Sequence, residues 1–409
     1  VTGCPASTFL KVCEAITRNS GRDRTGAICY AVGWTHHSTG VQMIRGAGII
    51  QALLGNVGRP GGGVLALRGH TSIQGSTDIP TLYDMLPGYL QQPHAYRPHK
   101  DLEQFLETEQ TPTGWWHNFP KYMVSLLKAW YGDHAAPSNG FGYEWLPKIV
   151  GDHSQLPQTL AMRDGVIRGM FFLGQNPAIG GSNSKMVQAG MAELDWMVVR
   201  DCAETDTASF WYQGHLVRDG DLKPEDIKTE IFLMPGSLAG EKDGTFTNTH
   251  RLLQWHDKVV DGPGDSQSEL WFIYHLGLRL KALYADSDKE RDKPIRNLTW
   301  DYPERGPDRD PSAEAVLKEI NGYTWVERKQ LTGINDIKDD GSTACGCWIY
   351  CGVFPEEGHN QSRSRRADGP ERIFGEWGRR DAEMWAVRDY FQVEDDAGER
   401  FWLFRAGDG

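Results

Sequence analysis

GVIRGMFFLGQNPAIGGSNSKMVQAGMAELDWMVVRD, residues 165–201, passes from an extended apolar run to a helical pattern and back. Gly165 to Leu173 reads as a strand and Gly174-Gln175-Asn176-Pro177 as a loop. Asn183-Ser184 then caps a helix with Val187, Gly190, Met191 and Leu194 on one face. Trp196 to Arg200 returns as the next strand and stops at Asp201. This is a βαβ unit, and a third apolar strand, Glu230 to Met234, ends in Pro235-Gly236-Ser237. The chain is therefore α/β, built of parallel-sheet, dinucleotide-binding-like domains with helices on both faces.

A second unit of this kind lies upstream, in AICYAVGWTHHSTGVQMIRGAGIIQALLGNVGRPGGGVLALRGHTSIQG, residues 27–75. Ala27 to Trp34 has the length of a buried parallel strand. After the loop Thr35 to Gly40, a helix is predicted from Val41 to Leu54. Only Gln42, Arg45 and Gln51 interrupt its apolar surface, which predicts cover on most sides. Gly55-Asn56 caps that helix, three glycines follow, and the apolar run Leu65-Ala66-Leu67 breaks off at Arg68-Gly69-His70. The break sets a guanidinium and an imidazole where a core would otherwise continue. Before this unit, a helix in residues 6–19 places Phe9, Val12, Cys13 and Ile16 on one face.

Strand ends are where open parallel sheets bind ligands. A carboxylate such as Asp201 accepts two parallel donors, from a guanine edge or ribose hydroxyls, although Asp201 and Glu204 also suit the cap of the next helix. No GxGxxG is present, which disfavours an ordinary NAD or FAD site. His36 and His37 read as loop or phosphate contacts, since adjacent histidines without a third partner rarely bind metal.

The 409 residues carry a formal charge of −12 with no concentrated basic face, which argues against nucleic acid as a partner. No apolar run is long enough to span a membrane, and no export signal is visible. The cysteine count of 7 is odd. Cys345, Cys347 and Cys351 suggest buried thiols or a disulfide more than a metal site, which usually needs four ligands and a CxxC element. Met85 to Lys148 loses periodicity and gathers aromatics, Pro and Gly, so it reads as an irregular covering region with one helix near Phe119 to Trp130. The tail from Gly341 suggests no fold, and Glu394 to Glu399 reads as solvated surface.

Residues 27–90, with YAVGWTHHSTGVQMIRGAGIIQALLGNVGRPGGG, ALRGHTSIQGSTD and LPGYL, resemble the large catalytic subunit of respiratory molybdenum or tungsten formate dehydrogenases, in the molybdopterin oxidoreductase family. FFLGQNPAIGGSN, WMVVRDCAETDTASFW, EKDGTFTNTHRLLQW and DDGSTACGCWIY continue the resemblance in the same order over most of residues 1–350. It implies two molybdopterin guanine dinucleotides around one molybdenum or tungsten, with a 4Fe-4S cluster in an N-terminal part. It also implies that Arg68 holds formate with His70 close by. Gly174, Asn176, Pro177, Asp201, Glu204 and Thr205 would line one guanine dinucleotide, and Gly33, Trp34 and Thr35 part of the pterin and phosphate region. The implied partners are formate and carbon dioxide, an iron–sulfur electron-transfer subunit and a membrane cytochrome b subunit, in the periplasm.

In that family the metal-ligating cysteine or selenocysteine lies upstream of the motifs seen here, so the chain reads as the middle of a larger subunit. Residues 1–90 would belong to a first molybdopterin-binding domain and 91–150 to the aromatic loop region. Residues 151–300 would form a second, guanine dinucleotide-binding domain, and 301–409 an irregular linker. Two other readings stand beside it: a noncatalytic cofactor-binding module, and a related enzyme acting on another oxyanion such as nitrate or polysulfide.

Overall fold

The computed structural model describes residues 2–249 and 251–364, together with the backbone of three strands, Ala367–Phe374, Val387–Glu394 and Arg400–Gly407. Within the acidic run expected as solvated surface, residues 395–399 lie outside the described residues. The chain divides into two units, one of residues 1–76, 246–253 and 364–409, the other of 77–245 and 254–363. Among the described residues no helix is long and apolar enough to cross a membrane.

In the first unit, helix α1 (Ala6–Arg18) follows Pro5, and its apolar face with Phe9, Val12 and Ile16 is exposed. Strand β1 (Ala27–Tyr30) leads through helix α2 (Gly40–Leu53) to strand β2 (Gly63–Ala66), and the two strands pair in parallel from Ala27 with Gly63 to Tyr30 with Ala66. The expected strand to Trp34 is shorter. Val32–Thr35 coils into one helical turn that stacks Trp34 on Tyr30, with ring centroids 5.7 Å apart. Gly40 closes this turn, because a Cβ there would lie 2.4 Å from the Trp34 carbonyl oxygen.

The expected cover over α2 is absent among the described residues: only Gly40, Ala47 and Gln51 are buried, and Val41, Ile49, Ile50 and Leu53 are exposed. Gln51, read as an interruption, is instead the helix's anchor. Its Nε2 donates to the Gly26 carbonyl at 2.7 Å and to that of Gly63, and its Oε1 accepts from Asn56 Nδ2 at 2.8 Å.

The second unit has two cores. One surrounds helix α3 (Phe119–Tyr131), in which Tyr122, Met123, Leu126 and Leu127 are almost wholly buried against Phe105, Leu90 and Ile337. The aromatic stretch expected as a cover therefore supplies a core. Its periodicity was hidden by backbone such as Gly140, Phe141 and Gly142, whose successive φ values of 56°, 54° and 81° repeat neither every 2 nor every 3.6 residues. Trp348 stacks on Tyr122 at 4.5 Å and donates to the Gly88 carbonyl at 2.8 Å. Cys345 and Cys347 are buried nearby, Cys351 is half-buried, and all three are free thiols.

The other core is the βαβ sheet. Strands β3 (Gly169–Leu173), β4 (Trp196–Asp201) and β5 (Glu230–Pro235) are all parallel, with β4 central. Helix α4 (Ser184–Ala192) crosses from β3 to β4, and helix α5 (Asp206–Gln213) follows β4. Asn183 caps α4 as the sequence predicts, accepting from the Met186 amide at 3.3 Å. Val187 and Met191 meet Phe172, Met197 and Val199 in the core. β3 starts at Gly169 rather than Gly165, because Gly165, at φ +68°, turns the chain after the helix Gln155–Arg163.

Candidate functional site

Three parallel strands present their carboxyl ends on one edge, and a loop follows each there. After β3, the Gly174 amide donates to the Arg200 carbonyl at 2.8 Å, extending the ladder by one rung. Gly174 then turns at φ +62°, and a Cβ added to it would meet nothing within 4 Å. Glycine is needed here for its backbone conformation, and it leaves open space beside it.

Asn176, the next expected contact, is engaged within the chain. Its Oδ1 accepts from the Thr207 amide at 3.0 Å and the Thr207 hydroxyl at 2.9 Å, and its Nδ2 donates to Asp206 Oδ2 at 2.9 Å. It clasps the loop after β3 to the first turn of α5, with Pro177 opening the helical turn Pro177–Gly180 behind it.

β4 ends in Asp201, which is half-buried and accepts from the Cys202 amide at 2.8 Å through Oδ1. Glu204 is exposed and accepts from the Tyr212 hydroxyl at 2.7 Å, a bond that raises the Tyr212 pKa. Neither carboxylate caps α5. Thr205 holds the cap position without a side-chain capping bond, and its Oγ1 is buried with no hydrogen-bond partner among the described residues. A buried hydroxyl left in that state costs about 1–3 kcal/mol unless something pairs with it.

Beyond β5 the Gly236 amide donates to the Asp201 carbonyl at 2.9 Å, and the Ser237 amide to the Gln267 carbonyl at 3.0 Å. Lys242 donates to the Ser237 carbonyl at 2.8 Å and pairs with Glu269, the first residue of helix α6 (Glu269–Leu283). Sequence reasoning missed this third wall. Pro235-Gly236-Ser237 signalled a turn, but nothing local pointed to Gln267, which lies 30 or more residues away.

In the first unit, parallel pairing of β1 with β2 brings two other groups of candidates to one edge. Gly33, Trp34 and Thr35 form the turn after β1, and Arg68 and His70 lie just beyond β2, where the Leu67 amide donates to the Tyr30 carbonyl at 2.8 Å. Arg68 is exposed and makes no hydrogen bond or ion pair among the described residues. His70 Nδ1 accepts from the Ser72 amide at 3.1 Å, so in the neutral ring the proton sits on Nε2. Among the described residues no group of three or more His, Cys, Asp or Glu is arranged to hold a metal ion.

No family model matches the chain. It is 37% identical over 391 residues to the formate dehydrogenase-O major subunit of Escherichia coli, covering 90% of this chain and 37% of that protein. The nitrate-inducible formate dehydrogenase major subunit of the same organism is 37% identical over 390 residues, with the same coverage. The formate dehydrogenase subunit alpha of Megalodesulfovibrio gigas is 36% identical over 380 residues, covering 89% of this chain and 36% of that protein. The chain thus spans little more than a third of the length of these relatives.

Proposed function

The chain's homologues are formate dehydrogenase major subunits, and from that premise we propose that it is a stretch of such a catalytic subunit holding part of a molybdopterin guanine dinucleotide site. One observation carries the reading. Just beyond the carboxyl ends of β3 and β4 stand an open left-handed glycine, a half-buried carboxylate and a buried hydroxyl unpartnered among the described residues: Gly174, Asp201 and Thr205.

This donor set fits the group. The Asp201 carboxylate suits the paired N–H donors of guanine or two ribose hydroxyls, the Thr205 hydroxyl needs a partner, and Gly174 leaves room for a flat ring. Asn176 and Pro177 would hold the loop, while Glu204 with Tyr212 would border it. Gly33, Trp34 and Thr35 would flank the pterin and its phosphate at the end of β1.

When bound, the molybdenum or tungsten pterin centre supplies the acceptor for the two electrons of formate oxidation to carbon dioxide. Arg68 orients formate, since a planar guanidinium makes two parallel bonds to a carboxylate and its charge favours the anion. His70, held by Ser72, presents its Nε2–H to the polar surroundings. A 4Fe-4S cluster in the intact subunit and further iron–sulfur clusters in an electron-transfer subunit would supply the route for the electrons. A membrane cytochrome b subunit and periplasmic placement belong to the same reading.

Replacing Arg68 with Ala in the intact subunit is expected to lower kcat/KM for formate by about 10-fold or more, as loss of a charge-assisted fork implies. Steady-state kinetics with an artificial electron acceptor measure this, and unchanged kinetics would remove Arg68 from the site.

A further inference from the structure

Formate oxidation as read above uses none of the three thiols Cys345, Cys347 and Cys351. Cys345 and Cys347 are each 2% exposed, and Cys351 is half-buried against the core that holds Cys345. Backbone contacts fix the first two. The amides of Cys345, Gly346 and Cys347 donate to the Ser125, Glu319 and Ile320 carbonyls at 3.0, 2.8 and 3.0 Å. Their thiols turn to different partners, Cys345 to the Asn321 carbonyl at 3.4 Å and Cys347 to that of Asp78 at 3.6 Å.

Cys351 returns to Cys345. The chain between them coils into a turn, Trp348–Tyr350, in which the Tyr350 amide donates to the Cys347 carbonyl at 3.0 Å and the Cys351 amide to that of Trp348 at 3.2 Å. Asn321 ties both ends together. Its carbonyl accepts from Cys345, and its Oδ1 accepts at 2.8 Å from the amide of Gly352, the residue after Cys351. The Cys345 and Cys351 thiols share a hydrogen bond. Gly322 leaves room for them, since a Cβ there would lie 2.8 Å from the Cys345 Cβ. The bond to Cys351 and burial hold the Cys345 thiol well above the ordinary range, so it keeps its proton.

We propose that Cys345 and Cys351 are a peroxide-responsive pair that closes to a disulfide, with Cys347 outside it. Access sets the order. Hydrogen peroxide, small enough to reach half-buried Cys351, oxidises that thiol to a sulfenic acid and releases one water. The Cys345 sulfur then attacks the sulfenic sulfur, an S–S bond forms, and the hydroxyl departs with the Cys345 proton as a second water. Two thiols lose two electrons in all, and one peroxide becomes two waters. A dithiol reductant reverses the step by exchange. The bridge fixes the turn Trp348–Tyr350, whose Tyr350 hydroxyl donates to buried Asp78 at 2.8 Å. This pair stands apart from the nucleotide reading and does not depend on it.

The test is a thiol map of the intact protein, reduced, treated with hydrogen peroxide while folded, then unfolded and alkylated. Trypsin leaves all three cysteines in one peptide, residues 339–363. Mass spectrometry should find a single alkyl group on it, at Cys347, and one on every cysteine once dithiothreitol has been added before alkylation. This measurement needs no substitution. Cys345→Ser should leave Cys351 as a sulfenic acid that dimedone captures, whereas Cys351→Ser should leave Cys345 and Cys347 both alkylated. Full alkylation of the peroxide-treated parent overturns the proposal, as does a bridge that includes Cys347 or oxidation of Cys351 to a sulfinic acid with Cys345 still alkylated.

Discussion

At the scale of single residues, side chains expected at a site divide into those left open and those already engaged. Among the described residues Thr205 and Arg68 are open in this sense and Asp201 is engaged only through Oδ1, by Cys202, whereas Asn176 uses both ends of its amide to hold α5 against the loop after β3. Asn176→Ala should therefore cost about 1–3 kcal/mol in stability, because it leaves the Thr207 amide and hydroxyl without their acceptor; a denaturant titration checks this, and a neutral result would return Asn176 to the ligand. Glu319 gives a pH prediction. Desolvation pushes its carboxyl up to about 7 from 4.5, against the pull of the Tyr302 hydroxyl and Arg328. Since the folded value is the higher one, the stability it contributes is complete below the unfolded value and is lost as pH rises through about 7. Urea midpoints should fall across that window, and Glu319→Gln should flatten the decline. Gly174 and Asp201 were legible in the sequence because a glycine and an acid closing apolar runs are local signals. The burial of Arg200 was not, because it depends on Phe272 and Gln267, residues far along the chain.

At the scale of elements, the βαβ unit was read almost to its boundaries, since cap, helix face and strand alternation agree with one another. Met191, 0% exposed between α4 and the sheet, should cost about 2–5 kcal/mol when cut to Ala, with loss of rigidity seen as faster amide exchange at the strand ends. A loss near zero would mean that α4 is not what holds β3 and β4 together. The first unit was harder to read. Apolarity alone extends β1 to Trp34, but the tight return through Gly40 favours a helical turn, and Gln51 anchors α2 by a polar bridge that hydrophobic pattern counts as an interruption. The aromatic stretch was misread as cover because short turns with left-handed backbone carry no periodic signature.

At the scale of the molecule, the α/β architecture was legible and the relatives agree with the resemblance, although the chain spans little more than a third of their length. The proposed function requires that the loops at the strand ends of the βαβ sheet hold a guanine nucleotide. Its most direct test is the guanine nucleotide released by acid from the intact subunit, counted per polypeptide, for the parent and for Asp201→Ala. The substitution is expected to remove one guanine nucleotide per polypeptide while the protein stays folded by circular dichroism. An unchanged guanine count in the folded variant would contradict it.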